Sequence, residues 1–270
     1  MHIPEIISFD FGKGVNNQHL YMAQGGALVF NAGNRIVNNW IYSIPEGFVL
    51  IDTGYENGFA HLKKWLSSQS IDIREIRYIF LTHAHDDHAG FLNELFDELP
   101  DVQVIMSDKA IEGLYRGQNS FTGGCTSRLA LFFCCFMGFV GKGAHRFPPL
   151  NREFEKRCIA VSDYNREEAG VKLNGSIIDT PGHTGDSISL FLNDGSLFCG
   201  DAAMNGFPSL YKIAIWAEDK EALLQSWRTI IGLKPAKIYP GHGNPFDYSE
   251  LEKNQCHVHK MKLYPLNNAK

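Results

Sequence analysis

Through the first third of the chain, apolar and polar residues alternate in short runs at 27–30, 36–44 and 48–51, with Pro45-Glu46-Gly47 between the last two. Period-two patterning broken by a Pro/Gly turn predicts a β-meander. Beyond Asp52-Thr53-Gly54 the period changes, and Phe59, Leu62 and Leu66 recur at helical spacing to about Ser68. Residues 78–81 form a compact apolar strand that runs straight into Thr82-His83. Phe91, Leu92, Leu95, Phe96 and Leu99 then mark the face of a helix that Pro100 stops and that Asp87 and His88 are expected to open. Residues 102–106 read as a further strand. The second half repeats the style, with strands near 176–178, 188–192 and 197–199. A helix carrying Leu223, Leu224, Trp227, Ile230 and Ile231 follows, with Gly232 as its expected C-cap.

The alternation breaks from about 117 to 157. A Gly-rich stretch, an apolar run at 129–140 and Phe147-Pro148-Pro149-Leu150 stand there. Twelve apolar residues fall short of the roughly 20 that span a bilayer. As a helix, the run with Phe132, Phe133, Phe136 and Phe139 is apolar on every side and must be covered. A buried packing helix, a homodimer contact, and a lid or pocket wall for an apolar substituent all meet that demand. Removing 122–147 is expected to leave metal content intact and to change substrate preference or oligomeric state.

The chain has 270 residues, 44% hydrophobic and 20% charged, and reads as one domain over 1–270 with this insertion. A net charge of -5, with no run of five or more Lys and Arg, disfavours nucleic acid as a partner and leaves a small-molecule substrate. The N-terminus lacks a secretory pattern and nothing reads as a membrane span, which predicts a cytoplasmic protein. Cys125, Cys134, Cys135, Cys158, Cys199 and Cys256 show no repeating spacing, as expected of reduced thiols.

The candidate chemistry is concentrated in His83-Ala84-His85-Asp86-Asp87-His88. One residue separates His83 from His85, so both imidazoles can face one ion, while Asp87 and His88 can reach back toward a second. Further candidates follow other apolar runs: His183 in Pro181-Gly182-His183, Asp201 after Cys199-Gly200, and His242 in Pro240-Gly241-His242-Gly243. In a layered fold, loops at one sheet edge converge, and glycine beside each ligand lets the backbone approach a crowded centre. Asp86, His61 and His145 read as surface residues, and His257 and His259 as part of a polar C-terminal tail.

The ordered set HxHxDH, PGH, GD after a strand and PGHG, together with Ile51-Asp52-Thr53-Gly54, resembles the metallo-β-lactamase superfamily from about residue 38 to 245. The resemblance implies an α/β (α+β) fold, a four-layer αββα sandwich with a helical apolar insertion. It implies that His83, His85 and His183 hold one metal ion and Asp87, His88 and His242 a second. Asp201 would bridge them, Asp87 would also be catalytic, and Asp52 would orient the histidine loop from behind. Two zinc ions are expected, though iron or manganese accepts the same donors.

Such a pair shares a water, lowers its pKa and makes hydroxide available for an ester, thioester, lactone or lactam bond. Asp201 at the bridging position looks like glyoxalase-type hydrolases and quorum-signal lactonases. With 28 residues after His242, a basic glutathione-binding domain is not expected, and hydroxyacylglutathione is not the favoured substrate. Three alternatives stand beside hydrolysis: a persulfide-dioxygenase-like oxidoreductase with one iron on His83, His183 and Asp201; a phosphodiesterase or nuclease of the same superfamily; and a metal-holding sensor without turnover.

Overall fold

The computed structural model describes residues 20–22, 28–34 and 36–266, with no side chains described for 20–22. The segment searched above for a targeting signal lies outside them. One sheet holds β1 (Leu20–Met22), β2 (Leu28–Asn31), β3 (Trp40–Ile44), β4 (Gly47–Ile51), β5 (Ile76–Phe80), β6 (Gln103–Ser107) and β8 (Cys158–Val161), in that spatial order. The first four pair antiparallel, which is the expected meander, and β4, β5, β6 and β8 pair parallel. A second sheet has β13 (Lys237–Pro240), β11 (Ser196–Gly200), β10 (Ile188–Leu192) and β9 (Gly175–Asp179) side by side. A short ribbon pairs β7 (Gly124–Cys125) with β12 (Trp216–Ala217).

Strand alternation divides the core into three layers of contact. In β3 and β4, Trp40, Tyr42, Val49 and Ile51 face the second sheet, where they meet Ile177, Leu190, Phe198 and Tyr239. Their neighbours Ile41 and Leu50 face the opposite way, onto α1 (Phe59–Ser68) and α2 (Leu92–Glu98) through Leu62, Leu66, Leu95 and Phe96. On the far side of the second sheet, Leu197, Cys199 and Ile238 pack against α6 (Lys220–Leu233) and α7 (Ser249–Lys260) through Leu223, Trp227, Leu251 and Val258. The result is the four-layer αββα sandwich. Between α2 and α6 the chain also forms α3 (Ile111–Arg116), α4 (Arg128–Phe139) and α5 (Arg166–Lys172). No helix of the described residues is long and apolar enough to cross a membrane.

Four local expectations are corrected. The helix after the histidine loop opens at Leu92, not at Asp87 and His88. The His88 and Ala89 N–H groups both bond the His85 carbonyl, and the Gly90 N–H bonds Gly54, so a tight turn occupies this stretch. Gly232 does not cap α6; the helix runs through it, and Lys234 takes the left-handed conformation at φ 50° with its N–H on Ile231. His257 and His259 lie on α7, because Leu251 and Val258 bury one face of that segment. The apolar run is helical but incompletely covered, with Phe132, Phe136 and Phe139 open to solvent.

Candidate metal centre

Each candidate ligand follows the C-terminal end of a strand. β4 leads to Asp52, β5 to the loop His83–His88, β9 to His183, β11 to Asp201 and β13 to His242. Two sheets thus contribute to one edge. The chain can turn this tightly at Gly241, where a Cβ would lie 2.5 Å from Asp201 Oδ1 and 2.7 Å from His88 Cε1. At Gly200, φ is +49° and a Cβ would press on the Thr82 side chain.

Hydrogen bonds fix which imidazole nitrogen faces inward. Asp52 Oδ1 accepts the Thr82 N–H at 2.8 Å, and Oδ2 accepts the Thr82 hydroxyl at 2.8 Å and His88 Nδ1–H at 2.7 Å. Since that hydroxyl donates to Asp52, its oxygen accepts from His83 Nδ1 at 3.0 Å. His183 Nδ1–H donates to the Trp216 carbonyl at 2.9 Å, and His242 Nδ1–H to the Ile36 carbonyl at 2.6 Å. Carbonyls only accept, so these rings carry their proton on Nδ1 and turn the Nε2 lone pair to the centre. Asp186 Oδ2 accepts the Ala84 N–H at 2.9 Å and steadies the loop between His83 and His85.

The inward atoms crowd together, some within hydrogen-bond distance of one another and others with no partner. His183 Nε2 lies 3.0 Å from His85 Nδ1, His242 Nε2 3.1 Å from Asp87 Oδ2, and His88 Nε2 3.6 Å from Asp201 Oδ1. Three sets have ligand atoms within 4.8 Å of one another: His83, His85 and His183; His83, His88 and Asp201; and Asp87, His88 and His242. Buried His83 Nε2, His85 Nε2, His88 Nε2 and Asp201 Oδ1 have no hydrogen-bond partner. A buried polar atom left unpaired costs about 1–3 kcal/mol, so four at one point describe a place built for cations. The donor set, imidazole nitrogens with carboxylate oxygens, fits divalent transition metals.

Electrostatics divides the cluster. Burial, and then the surrounding imidazoles, hold His83 and His85 well below the usual histidine range. Burial works against ionisation of Asp87 and Asp201, yet the histidines beside them, His88 and His242, hold both carboxyls below the ordinary aspartate range. Burial also lowers the proton affinity of His88, but Asp87, Asp52 and Asp201 push it up to about 9. His242 is raised likewise against its burial, by Asp201 and Asp87. Tyr55, next to this edge, is raised by burial and then by Asp87, Asp86 and Asp201.

All seven ligand candidates come together, and Asp52 lies directly behind them. Two residues read as surface prove otherwise. Asp86 accepts from Asn119 Nδ2 at 2.7 Å while its own N–H donates to Asn119 Oδ1 at 2.8 Å, and His145 Nδ1 is 3.4 Å from Asp86. The insertion is thereby tied to the histidine loop. Thr82 went unread although it directly precedes His83; the supports from Trp216 and Ile36 are backbone carbonyls, which no side-chain pattern announces. Beside His85 a cleft of about 280 Å³ opens, with Ala84, Lys109, Arg116, Thr184 and Glu218 in its wall.

Comparison with known proteins agrees with this geometry. The profile of the Metallo-beta-lactamase superfamily matches residues 32–242. The beta-lactamase-like protein 2 homolog of Caenorhabditis elegans is 28% identical over 226 residues, covering 83% of this chain and 62% of its own length. A probable metallo-hydrolase of Bacillus subtilis (strain 168) is 26% identical over 223 residues, 75% of this chain and 78% of that one. A solved structure described as a di-iron-bound form shares the fold at a TM-score of 0.57 and 21% identity, over 84% of this chain and 97% of its own. The chain spans about three fifths of the length of the Caenorhabditis elegans relative. With the profile match running from the meander to the last histidine of the centre, the chain belongs to the metallo-beta-lactamase superfamily.

Proposed function

We propose that this protein is a metal-dependent hydrolase that cleaves an ester, thioester, lactone or lactam bond of a small molecule. The observation that carries the reading is the set of inward, unpartnered nitrogens and oxygen at His83, His85, His88 and Asp201. His83, His85 and His183 would hold one ion, Asp87, His88 and His242 another, and Asp201 would serve both. When bound, two such ions supply Lewis acidity and a water whose pKa falls toward ~7. The names of the relatives, beta-lactamase-like and metallo-hydrolase, support hydrolysis over the other chemistries of the fold.

The chain's own residues prepare the site. Asp52 fixes the His88 ring directly and the His83 ring through the Thr82 hydroxyl. Asp87, with 16% of its side chain exposed, is the more open of the two central carboxylates, Asp201 having 7%. That greater exposure supports Asp87 as the proposed catalytic carboxylate, beside its proposed place as a metal ligand. The cleft beside His85 has the scale of a small-molecule pocket. Zinc is the proposed metal, with iron and manganese chemically admissible. All six cysteines stand as free thiols, which suits a reducing compartment such as the cytoplasm.

Elemental analysis of the purified protein, paired with lactone, thioester, β-lactam and phosphodiester substrates, tests the reading. Two metals per chain and turnover of one acyl class are expected, with metal occupancy lowered and hydrolysis abolished in Asp201→Ala and His183→Ala. A single iron with oxygen consumption on a persulfide would replace hydrolysis by oxidation. Turnover confined to phosphodiesters would move the protein to the nuclease branch, and wild-type activity in either purified variant would refute the centre.

A further inference from the structure

α4 projects an apolar surface that the described residues leave uncovered. Its inner side, with Ala130 buried and Cys134 and Met137 half-buried, packs toward β7. On the outer side Phe132 is 71% exposed, Phe136 53% and Phe139 89%. Steps of four and three residues place these rings in one stripe along the helix. The Phe133 ring meets Phe207 at 6.2 Å, and Phe207, 79% exposed, carries the patch onto the loop after Asp201. Taking roughly 200 Å² for a whole aromatic side chain, these four exposed phenylalanines present on the order of 600 Å². That reaches the upper end of the largest apolar patch of an ordinary monomer, about 300–600 Å².

We propose that this face is a homodimer interface, with α4 packed on α4 of a second copy of the chain. Area is the first argument: with exposed Cys135, Val140 and the turn residues Gly141 and Lys142 added, the patch approaches the roughly 800 Å² per partner of a stable interface. Shape is the second. Cys135 is exposed within the stripe, and a Cβ on Gly138 would meet nothing within 4 Å, so small residues leave hollows beside the large rings. An antiparallel crossing near Cys135, which lies close to the middle of the helix, seats each copy's rings in the other's hollows and closes as a two-fold pair. A membrane fits less well. An interfacial helix keeps a charged face in water, whereas the opposite face of α4 lies on its own protein and the chain carries a net charge of -5.

The pairing places the two Cys135 thiols near the symmetry axis, which supplies a readout independent of mass. Light scattering at micromolar protein should give twice the chain mass of 30.3 kDa, and the double variant Phe132→Glu/Phe136→Glu should give the single mass with unchanged metal content and circular dichroism. Copper-phenanthroline oxidation should join the wild-type chains by a disulfide, two thiols giving two protons to solvent and two electrons to the oxidant. Cys135→Ser should abolish the link. A wild-type monomer, including one that floats with phosphatidylcholine vesicles, overturns the proposal. So does a dimer that survives both glutamates, or one whose oxidative link persists without Cys135. Should the double variant fail to fold, the Cys135 crosslink in the otherwise native chain decides alone.

Discussion

Asp52 shows how much one carboxylate behind the ligands controls. It sits at φ 59°, a left-handed conformation that asparagine also tolerates, so Asp52→Asn preserves the backbone and alters only the acceptors. The amide NH2 would then face either the Thr82 N–H, at the Oδ1 position, or both the Thr82 hydroxyl and His88 Nδ1–H, at the Oδ2 position. Metal affinity is expected to fall about 10–100-fold, measured by chelator competition; native affinity in the folded variant would remove Asp52 from this role. His88 carries a second prediction. With no metal bound, its proton affinity is raised to about 9 by Asp87, Asp52 and Asp201 against the effect of burial, whereas an unfolded histidine titrates near ~6.5. The folded value being the higher, this proton contributes stability fully below about pH 6.5 and loses it as pH rises through about 9. A cation must displace it, so metal affinity should climb across that window and binding should release protons. Calorimetry in buffers of different ionisation enthalpy reads the release, and a pH-independent affinity without it would contradict the prediction.

Among the elements, the insertion departs furthest from its sequence reading. Removing 122–147 was expected to spare the metals, but that cut takes away β7, the partner of β12, whose Trp216 carbonyl holds His183. It also removes Thr126, whose hydroxyl donates to the Ala214 carbonyl at 2.7 Å. The full excision is therefore expected to lower metal content, while replacing only 128–143 by a Gly/Ser linker should preserve it and lose the apolar face. Equal metal content in the two variants, by elemental analysis, would show that the ribbon does not support His183. The cluster of candidate ligands was legible because they are side chains of unusual type repeated after apolar runs, and the meander because its period is two. What holds the ligands was not. Trp216 and Ile36 act through carbonyls common to every residue, and Asp86 meets Asn119 and His145 only after the insertion folds back. Gly232 misled for a different reason: an open helical glycine costs roughly 1 kcal/mol relative to alanine, which the packing of Trp227 and Ile230 in the same helix outweighs.

Across the whole molecule the centre joins the two halves of the sandwich. His83, His85, Asp87 and His88 leave the first sheet, whereas His183, Asp201 and His242 leave the second. Direct bonds already cross at this edge, among them Ile188 N–H to the Thr82 carbonyl at 2.9 Å, Asn38 N–H to the Gly241 carbonyl at 2.8 Å, Trp40 Nε1–H to the Pro240 carbonyl at 2.8 Å and Ala84 N–H to Asp186 Oδ2 at 2.9 Å. Ions held by both sets of candidate ligands would add a cross-link that the unfolded chain cannot make, and so would stabilise the folded state by mass action. At a free metal concentration 100 times Kd, the gain per site is about 2.7 kcal/mol. For a chain of this size each kcal/mol shifts Tm by roughly 2–4 °C, so chelation should lower Tm by about 5–10 °C for one such site. Asp201→Ala separates this linkage from general packing, because Asp201 stands between both ligand sets and its side chain lies outside the apolar layers. The variant should melt close to the chelated protein and respond little to added zinc. Scanning calorimetry with and without chelator provides the comparison. A wild-type Tm indifferent to chelation, under conditions where elemental analysis shows the metal removed, would mean that the two sheets hold this edge together without it.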